Sequence, residues 1–261
     1  MGFSATWLSL REPADHAARD AALLAAAAKA AGEAPVIVDL GCGTGSTIRA
    51  LAKHLQQPAG WRLLDNDPDL LEHAAMATED HVTTHRIDLR DLDTLPLDGA
   101  SLVTASALLD LCSRDWVQRL AERLAAQTLP FYAALNYNGA MQWSPVDPSD
   151  DAVTQAFNRH QRGDKGFGPA LGADSADAIA EVFSAAGFKV LQADSPWQLG
   201  PAEADLQREL LTGIAGAAAE AGADVSDRWL QTRIGALAEA RCRIGHRDLL
   251  ALPPGMEVGA A

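Results

Sequence analysis

Residues 36–52, VIVDLGCGTGSTIRALA, constrain this chain more than any other stretch: an apolar strand runs into Asp39, glycines follow at alternate positions 41, 43 and 45, and a helix begins. Glycine removes the Cβ that would hold a ligand off the backbone and permits dihedrals other residues resist. The following helix then turns its free amides towards that ligand. The pattern points to a nucleotide-like cofactor in an α/β fold. A dinucleotide fingerprint needs G-x-G-x-x-G or A, but here Ser46 stands at the third position and Gly45 arrives one residue early. A P-loop needs four residues between its glycines and then a lysine, and no lysine occurs between Gly41 and Lys53.

Charge and cysteine content narrow the partners. The formal net charge of −14 repels a polynucleotide backbone unless a local basic patch opposes it. The nearest basic cluster, Arg159, His160, Arg162 and Lys165, is interrupted by Asp164 and reads as site or lid chemistry. Small molecules are therefore the expected partners, with no nucleic acid and no membrane. Cys42, Cys112 and Cys242 are odd in number, far apart and without a C-x-x-C pair, so no metal is expected and a reducing, cytoplasmic setting is. The apolar run 21–28 is too short to span a bilayer. Oligomeric state is not legible.

Strand and helix patterns alternate from residue 36 to about 135, which predicts a mostly parallel sheet with helices on both faces and a ligand across the carboxyl ends of the strands. A single domain of 261 residues is expected, with an N-terminal helical cap over 1–34, a cofactor half over 35–136, a lid insertion over 137–173 holding a helix near 151–160, and a C-terminal half over 174–261. One helix is expected over 14–31 with Pro13 at its start, a fifth strand over 129–135, helical insertions within 202–240, and a seventh, antiparallel strand over 242–250.

The motif D-L-G-C-G-T-G at 39–45 resembles the first motif of the class I S-adenosylmethionine-dependent methyltransferases, and two further features follow in that family's order. Residues 61–64 read as a second strand ending in Asp65, then Asn66, Asp67 and Pro68; a third strand ends at Asp88 and Leu89. The resemblance implies that Asp65 holds the two ribose hydroxyls, a task suited to a carboxylate with two accepting oxygens. It implies that Asp88 and Leu89 flank the adenine, that Asp39 and the Gly41, Cys42, Gly43 and Gly45 loop meet the methionyl end, and that Asn66 and Ser106 lie beside the cofactor. Cys42 reads as a small space-filler rather than a nucleophile. The acid often found at the start of the fourth strand is replaced by Ser101, and the resemblance extends over about residues 36–190.

On that resemblance the expected activity is methyl transfer from S-adenosylmethionine to an oxygen or nitrogen of a small metabolite, leaving S-adenosylhomocysteine. The alternatives are a protein acceptor, or a protein that binds the cofactor without turnover. No N-P-P-Y/F loop follows the fourth strand, which removes one marker of base or amide methylation. Asp110, His160 and Tyr137 are the catalytic candidates: Asp110 as proton acceptor or cation binder and otherwise a helix cap; His160 with the intrinsic pKa of a base at neutral pH and otherwise on a helix surface; Tyr137 at the acceptor side, able with Trp143 to stack on a ring or cation and otherwise lid structure. Arg162 and Lys165 are candidate contacts to an acidic acceptor. Arg11 or Arg19 is a candidate partner for the methionyl carboxylate, provided that it lies near the glycine loop.

Overall fold

The structure, a computed structural model, describes residues 3–76 and 81–258. Helices α1 (Ala5–Ala18) and α2 (Ala21–Ala30) precede strand β1 (Val36–Leu40); α3 (Ser46–Leu51), β2 (Gly60–Asp65), α4 (Pro68–Met76), β3 (His81–Arg86), β4 (Leu102–Ser106), α5 (Arg114–Ala126) and β5 (Phe131–Ser144) continue the alternation. Then come α6 (Asp150–Gln161), α7 (Ser175–Ala185), β6 (Lys189–Asp194), β7 (Trp197–Leu199), α8 (Ala204–Glu220), α9 (Ser226–Gly235) and β8 (Arg241–Leu252). The sheet runs β3-β2-β1-β4-β5-β8-β6, with β7 also on β8. Strands β3, β2, β1, β4 and β5 are parallel, and β8 runs antiparallel to β5, β6 and β7.

The central strands are apolar on both faces, as a sheet covered by helices on both sides requires. Along β1, Val38 and Leu40 join the cluster that also holds Trp116, Leu120 and Leu124 of α5, while Ile37 joins the cluster with Leu23, Leu24 and Ala27 of α2. A third cluster, around Trp143, Trp197, Trp229 and Ile214, seats α6, α8 and α9 on the outer halves of β5 and β8. No helix among the described residues is long and apolar enough to cross a membrane.

Several boundaries depart from expectation. The single helix over 14–31 is two: Pro13 lies inside α1, Arg19 leaves the helix with an extended ψ of 135°, and Asp20 restarts it by accepting from the Leu23 amide at 2.8 Å. A capping carboxylate thus ends the run that alanine propensity would continue. The fifth strand does not stop at Leu135 but continues to Ser144, so residues 137–144 of the expected lid belong to the sheet. Among the described residues the sheet also has eight strands rather than seven. Both changes follow from the length of β8, whose inner half pairs with β6 and whose outer half, Cys242–Ile244, pairs with β7 and the extension of β5.

The long β5–β8 pairing is interrupted by shifts between Ala133 and Asn136 and between Tyr137 and Met141. At the first shift Leu135 has φ +58° and its amide leaves the ladder. Fully buried Asp248 takes that amide at 2.8 Å, and its other oxygen accepts from the Tyr132 hydroxyl at 3.1 Å and the Asp20 amide at 3.0 Å. One carboxylate therefore satisfies the bulge and ties the α1–α2 junction to the sheet. Removing it leaves three donors without their acceptor, so Asp248→Ala is expected to lower unfolding free energy by about 3 kcal/mol or more in urea titrations. A loss below about 1 kcal/mol would contradict this role.

Candidate active site

The carboxyl ends of β1, β2 and β4 and the turn after β3 open into one cavity of about 370 Å³, within the range of small-molecule sites. Its floor is the glycine loop. Gly41, Gly43 and Gly45 all have positive φ, +64°, +53° and +82°. A Cβ on Gly43 would stand 3.1 Å from Leu8 Cδ1 of α1, so the absent side chain lets α1 lie directly over the loop. Gly41, Cys42, Gly43 and Thr44 line the cavity. Gly45 does not; it closes the turn through its amide to Cys42 O at 2.9 Å and precedes α3 as a left-handed cap.

Asp65 faces this loop from the end of β2. Its Oδ2 accepts from the Gly43 amide at 3.0 Å and its Oδ1 from the Asp67 amide at 3.1 Å, which fixes the carboxylate while leaving each oxygen further accepting capacity. Asn66 lies beside it on the cavity wall. Asp67 caps α4 by accepting from the amides of Asp69 and Leu70. Asp88 and Leu89 line the same cavity; the Arg90 guanidinium grips the exposed Asp88 carboxylate and holds its pKa down at about 2. Ser106, at the end of β4, lines the cavity and accepts from Arg19 Nη2 at 3.0 Å.

Asp39 lies beneath the loop rather than on the cavity wall. It is almost wholly buried; Oδ1 accepts from Thr104 Oγ1 at 2.6 Å, and Oδ2 has no hydrogen-bond partner among the described residues. Burial raises its pKa to about 6, although Thr104 and the Arg19 charge favour the carboxylate. Burial also raises the Cys42 thiol far above its ordinary range, with Asp39 and Asp65 adding repulsion. A thiol held neutral suits a space-filling role.

The roof comes from elements that carry no recognised motif. Leu8, Arg11 and Asp15 of α1 reach the cavity from one side, and Lys165, Gly166 and Phe167 reach it from the loop after α6. Arg11 donates to both oxygens of Asp15, at 2.9 and 3.1 Å, and its Cζ lies 4.9 Å above the Trp197 ring, whose Nε1 donates to Asp15 at 2.9 Å. Arg11 thus shares the cavity with the glycine loop. A bidentate pair of Arg49 with Glu12, and His16 against Ser46, fasten α1 to α3.

None of Asp110, Tyr137 and His160 lies on the cavity lining. Asp110 follows β4 with a covered, unpartnered Oδ1, and burial raises its pKa to about 6 against the opposing charge of Arg11. Tyr137 donates to Asn158 Oδ1 at 2.8 Å; burial and the Asp110 charge push its phenol up. His160 stands farther back, with Nε2 at 3.0 Å from Glu220 and Nδ1 at 3.3 Å from Lys165 Nζ, so both ring nitrogens are engaged away from any acceptor. The expectation of His160 as a base therefore departs from this geometry. Sequence reading missed His246, a buried imidazole 6.1 Å from the Tyr137 ring and 5.4 Å from that of Trp197, whose pKa burial and Arg11 lower to about 3. Nothing around His246 in the sequence signals it, because β7 and β5 bring its neighbours from afar.

A family profile described as a methyltransferase domain matches residues 37–131, from β1 into the first residue of β5. No curated protein matches the sequence. Among solved structures the chain is similar to the cyclopropane-fatty-acyl-phospholipid synthase-like protein of Lactobacillus casei, with a TM-score of 0.55 at 16% identity over 97% of this chain and 95% of that one. It is also similar to the cyclopropane synthase MmaA2 of Mycobacterium tuberculosis, with a TM-score of 0.53 at 12% identity over 95% and 94% of the two chains. The YcgJ protein of Bacillus subtilis gives a TM-score of 0.53 at 15% identity over 89% and 98%. At such identities the likeness carries the fold. The match of residues 37–131 to a methyltransferase domain and the shared fold agree with the resemblance carried by the D-L-G-C-G-T-G motif.

The residues present fit S-adenosylmethionine, the cofactor that the motif resemblance implies. The glycine loop offers backbone a ligand can approach, the two oxygens of Asp65 are oriented with accepting capacity to spare, and the buried Asp39 places negative charge under the loop where a cationic ammonium would be favoured. The unpaired Asp39 carboxylate also sets a stability signature. Below about pH 4 it is protonated in both states; between about 4 and 6 only the unfolded chain ionises; above 6 the folded state bears the full cost of the buried charge. Wild-type stability should therefore lose about 2–3 kcal/mol from this group as pH rises from 4 to 7.5. The difference Asp39→Asn minus wild type should grow by that amount in denaturation series. Parallel pH curves would contradict the burial of an unpaired carboxyl.

Proposed function

We propose that the protein transfers the methyl group of S-adenosylmethionine to an oxygen or nitrogen of a small molecule. The observation that carries this reading is the convergence of Gly41, Gly43, Asp65, Asp88, Leu89 and Ser106 on one roofed cavity, reached from four different strand ends. Cover from α1 and from the loop after α6 favours a small acceptor over a long polymer, as does the net charge of −14. Three buried cysteines without disulfides fit a reducing, cytoplasmic setting.

The cofactor, when bound, supplies an electrophilic methyl on a sulfonium. The chain's own task is to align, enclose and deprotonate. Asp65 would accept from the ribose hydroxyls, Asp88 and Leu89 would flank the adenine with Asn66 beside them, and the Gly41–Thr44 backbone and Ser106, with the Asp39 charge beneath, would serve the methionyl end. Leu8 and Phe167 exclude water from above. Asp110, set back from the cavity lining with its pKa raised by burial to about 6, would as a carboxylate take the proton of an acceptor that reaches it, while Tyr137 stays a phenol at neutral pH.

The test of the cofactor reading is calorimetric binding of S-adenosylhomocysteine without any acceptor. Wild type should bind, and Asp65→Ala should bind about a hundredfold more weakly, through loss of two charge-assisted hydrogen bonds. Equal affinity in the two proteins would overturn the placement of the ribose. With an acceptor in hand, kcat should rise with pH through about 6 and then level, because Asp110 acts as carboxylate. Asp110→Asn should abolish that limb along with most of the rate, and an unchanged pH profile would remove Asp110 from proton transfer.

A further inference from the structure

Three cations reach the cavity wall among the described residues: Arg11, Arg90 and Lys165. Two are already neutralised. Arg11 is held bidentately by Asp15 and Arg90 by Asp88. Lys165 differs, for its Nζ contacts the imidazole of His160 at 3.3 Å and, among the described residues, no carboxylate within ion-pairing distance. An ammonium has hydrogens to give and no lone pair, so His160 Nδ1 must accept from it. That fixes the tautomer: the ring proton sits on Nε2 and is donated to Glu220 at 3.0 Å. Glu220, His160 and Lys165 thus form a directed chain from the end of α8 through α6 to the cavity. The glutamate orients the ring and the ring orients the lysine, whose own charge is left uncompensated.

The segment carrying Lys165 is built to hold it there. Asp164 Oδ1 accepts from the Gly166 amide at 2.7 Å and the Gly168 amide at 3.0 Å, and both glycines have positive φ, +108° and +84°. The Leu171 amide donates to Cys112 O at 2.8 Å, which pins the far end of the loop to the segment after β4. Between them Phe167 packs edge-on against Trp116, 5.6 Å between centroids, and Trp116 Nε1 donates to Leu89 O at 2.7 Å. Lys165 therefore reaches the same cavity as Arg11, whose lining also includes Leu108 and Leu111 of the post-β4 segment. Asp15, Asp65 and Asp88 also line this cavity, but Asp15 and Asp88 are held by Arg11 and Arg90 and Asp65 by two amides, so Lys165, without an ion-pair partner among the described residues, is the cation placed to receive an anion.

We infer that Lys165, positioned by His160 and Glu220, binds an anionic group of the methyl acceptor, so that the substrate is a small molecule carrying a carboxylate or a phosphate. The inference rests on the methyltransferase reading above and adds the class of its substrate. It gives His160 a positioning role in place of a basic one. Lys165 touches the acceptor's anionic end, remote from the atom that receives the methyl group.

The test uses the full chain saturated with S-adenosylhomocysteine and ligand-observed NMR on matched pairs: 4-hydroxybenzoate against 4-hydroxybenzamide, glycolate against glycolamide, and phenyl phosphate against phenol. The acid of at least one pair should bind about tenfold more tightly than its neutral partner, and whether carboxylates or the phosphate gain more separates the two sources of the anion. Lys165→Gln should erase the preference with cofactor-product affinity unchanged, and Lys165→Arg should keep it. His160→Ala should reduce it, while His160→Gln, whose carboxamide oxygen still accepts from Nζ, should restore most of it. Nitrogen-15 shifts of His160 should report protonation at Nε2 alone. The inference is overturned if no pair favours the acid, if Lys165→Gln keeps the preference, or if that variant loses S-adenosylhomocysteine affinity, which would assign Lys165 to the cofactor. Failure of the wild type to bind S-adenosylhomocysteine would instead overturn the cofactor reading, and this inference with it.

Discussion

The carboxylate of Asp65 holds the amides of Gly43 and Asp67 at once, and much of the site follows from that pair of hydrogen bonds. It joins the turn after β1 to the end of β2, sets the positive-φ glycines in register with the sheet, and presents charge at the cavity wall. Gly43 in that position accepts the close approach of Leu8, so the placement of α1 as a roof depends on the same tie. Neutral hydrogen bonds would serve the turn alone. A charged acceptor makes each bond stronger and leaves lone pairs for a ligand, which is why the binding group and the structural group are one residue.

Around this centre the chain buries charge that is only partly satisfied. Asp39 and Arg19 are both nearly inaccessible, and Arg19 Nε and Nη1, like Asp39 Oδ2, lack hydrogen-bond partners among the described residues. Unsatisfied buried charge is costly, so its concentration where β1, β4 and the α1–α2 junction meet marks a place arranged for something other than stability. Exposed pairs such as Arg162 with Asp174 or Arg114 with Glu181 contribute at most about 1 kcal/mol each. The energetic interest of the molecule is at the floor of its cavity, not on its surface.

Local signals made the cofactor half legible. Strand ends and glycine turns are written in consecutive residues, so alternation places the strand ends on one edge, and the family resemblance singles out Asp65, Asp88 and Ser106 there. What escaped was whatever depends on a distant partner. The extension of β5 past Leu135 is polar and glycine-containing and reads as loop, because its order comes from β8, distant in sequence. The same pairing creates β7 and buries His246. The break at Asp20 lost to alanine propensity, since a capping carboxylate inside a helix-favouring run gives little warning. His160 was singled out for its intrinsic pKa, and only tertiary structure reveals that both its nitrogens are engaged.

The central claim is that one cavity at the strand ends, closed by α1, holds the cofactor through Asp65. A crystal structure with S-adenosylhomocysteine tests it most directly. The account predicts ribose hydroxyls on the Asp65 carboxylate, adenine beside Asp88 and Leu89, and the amino-acid end over the Gly41–Thr44 loop beneath Leu8. A ligand bound elsewhere, or seated there with its ribose out of reach of Asp65, would contradict it.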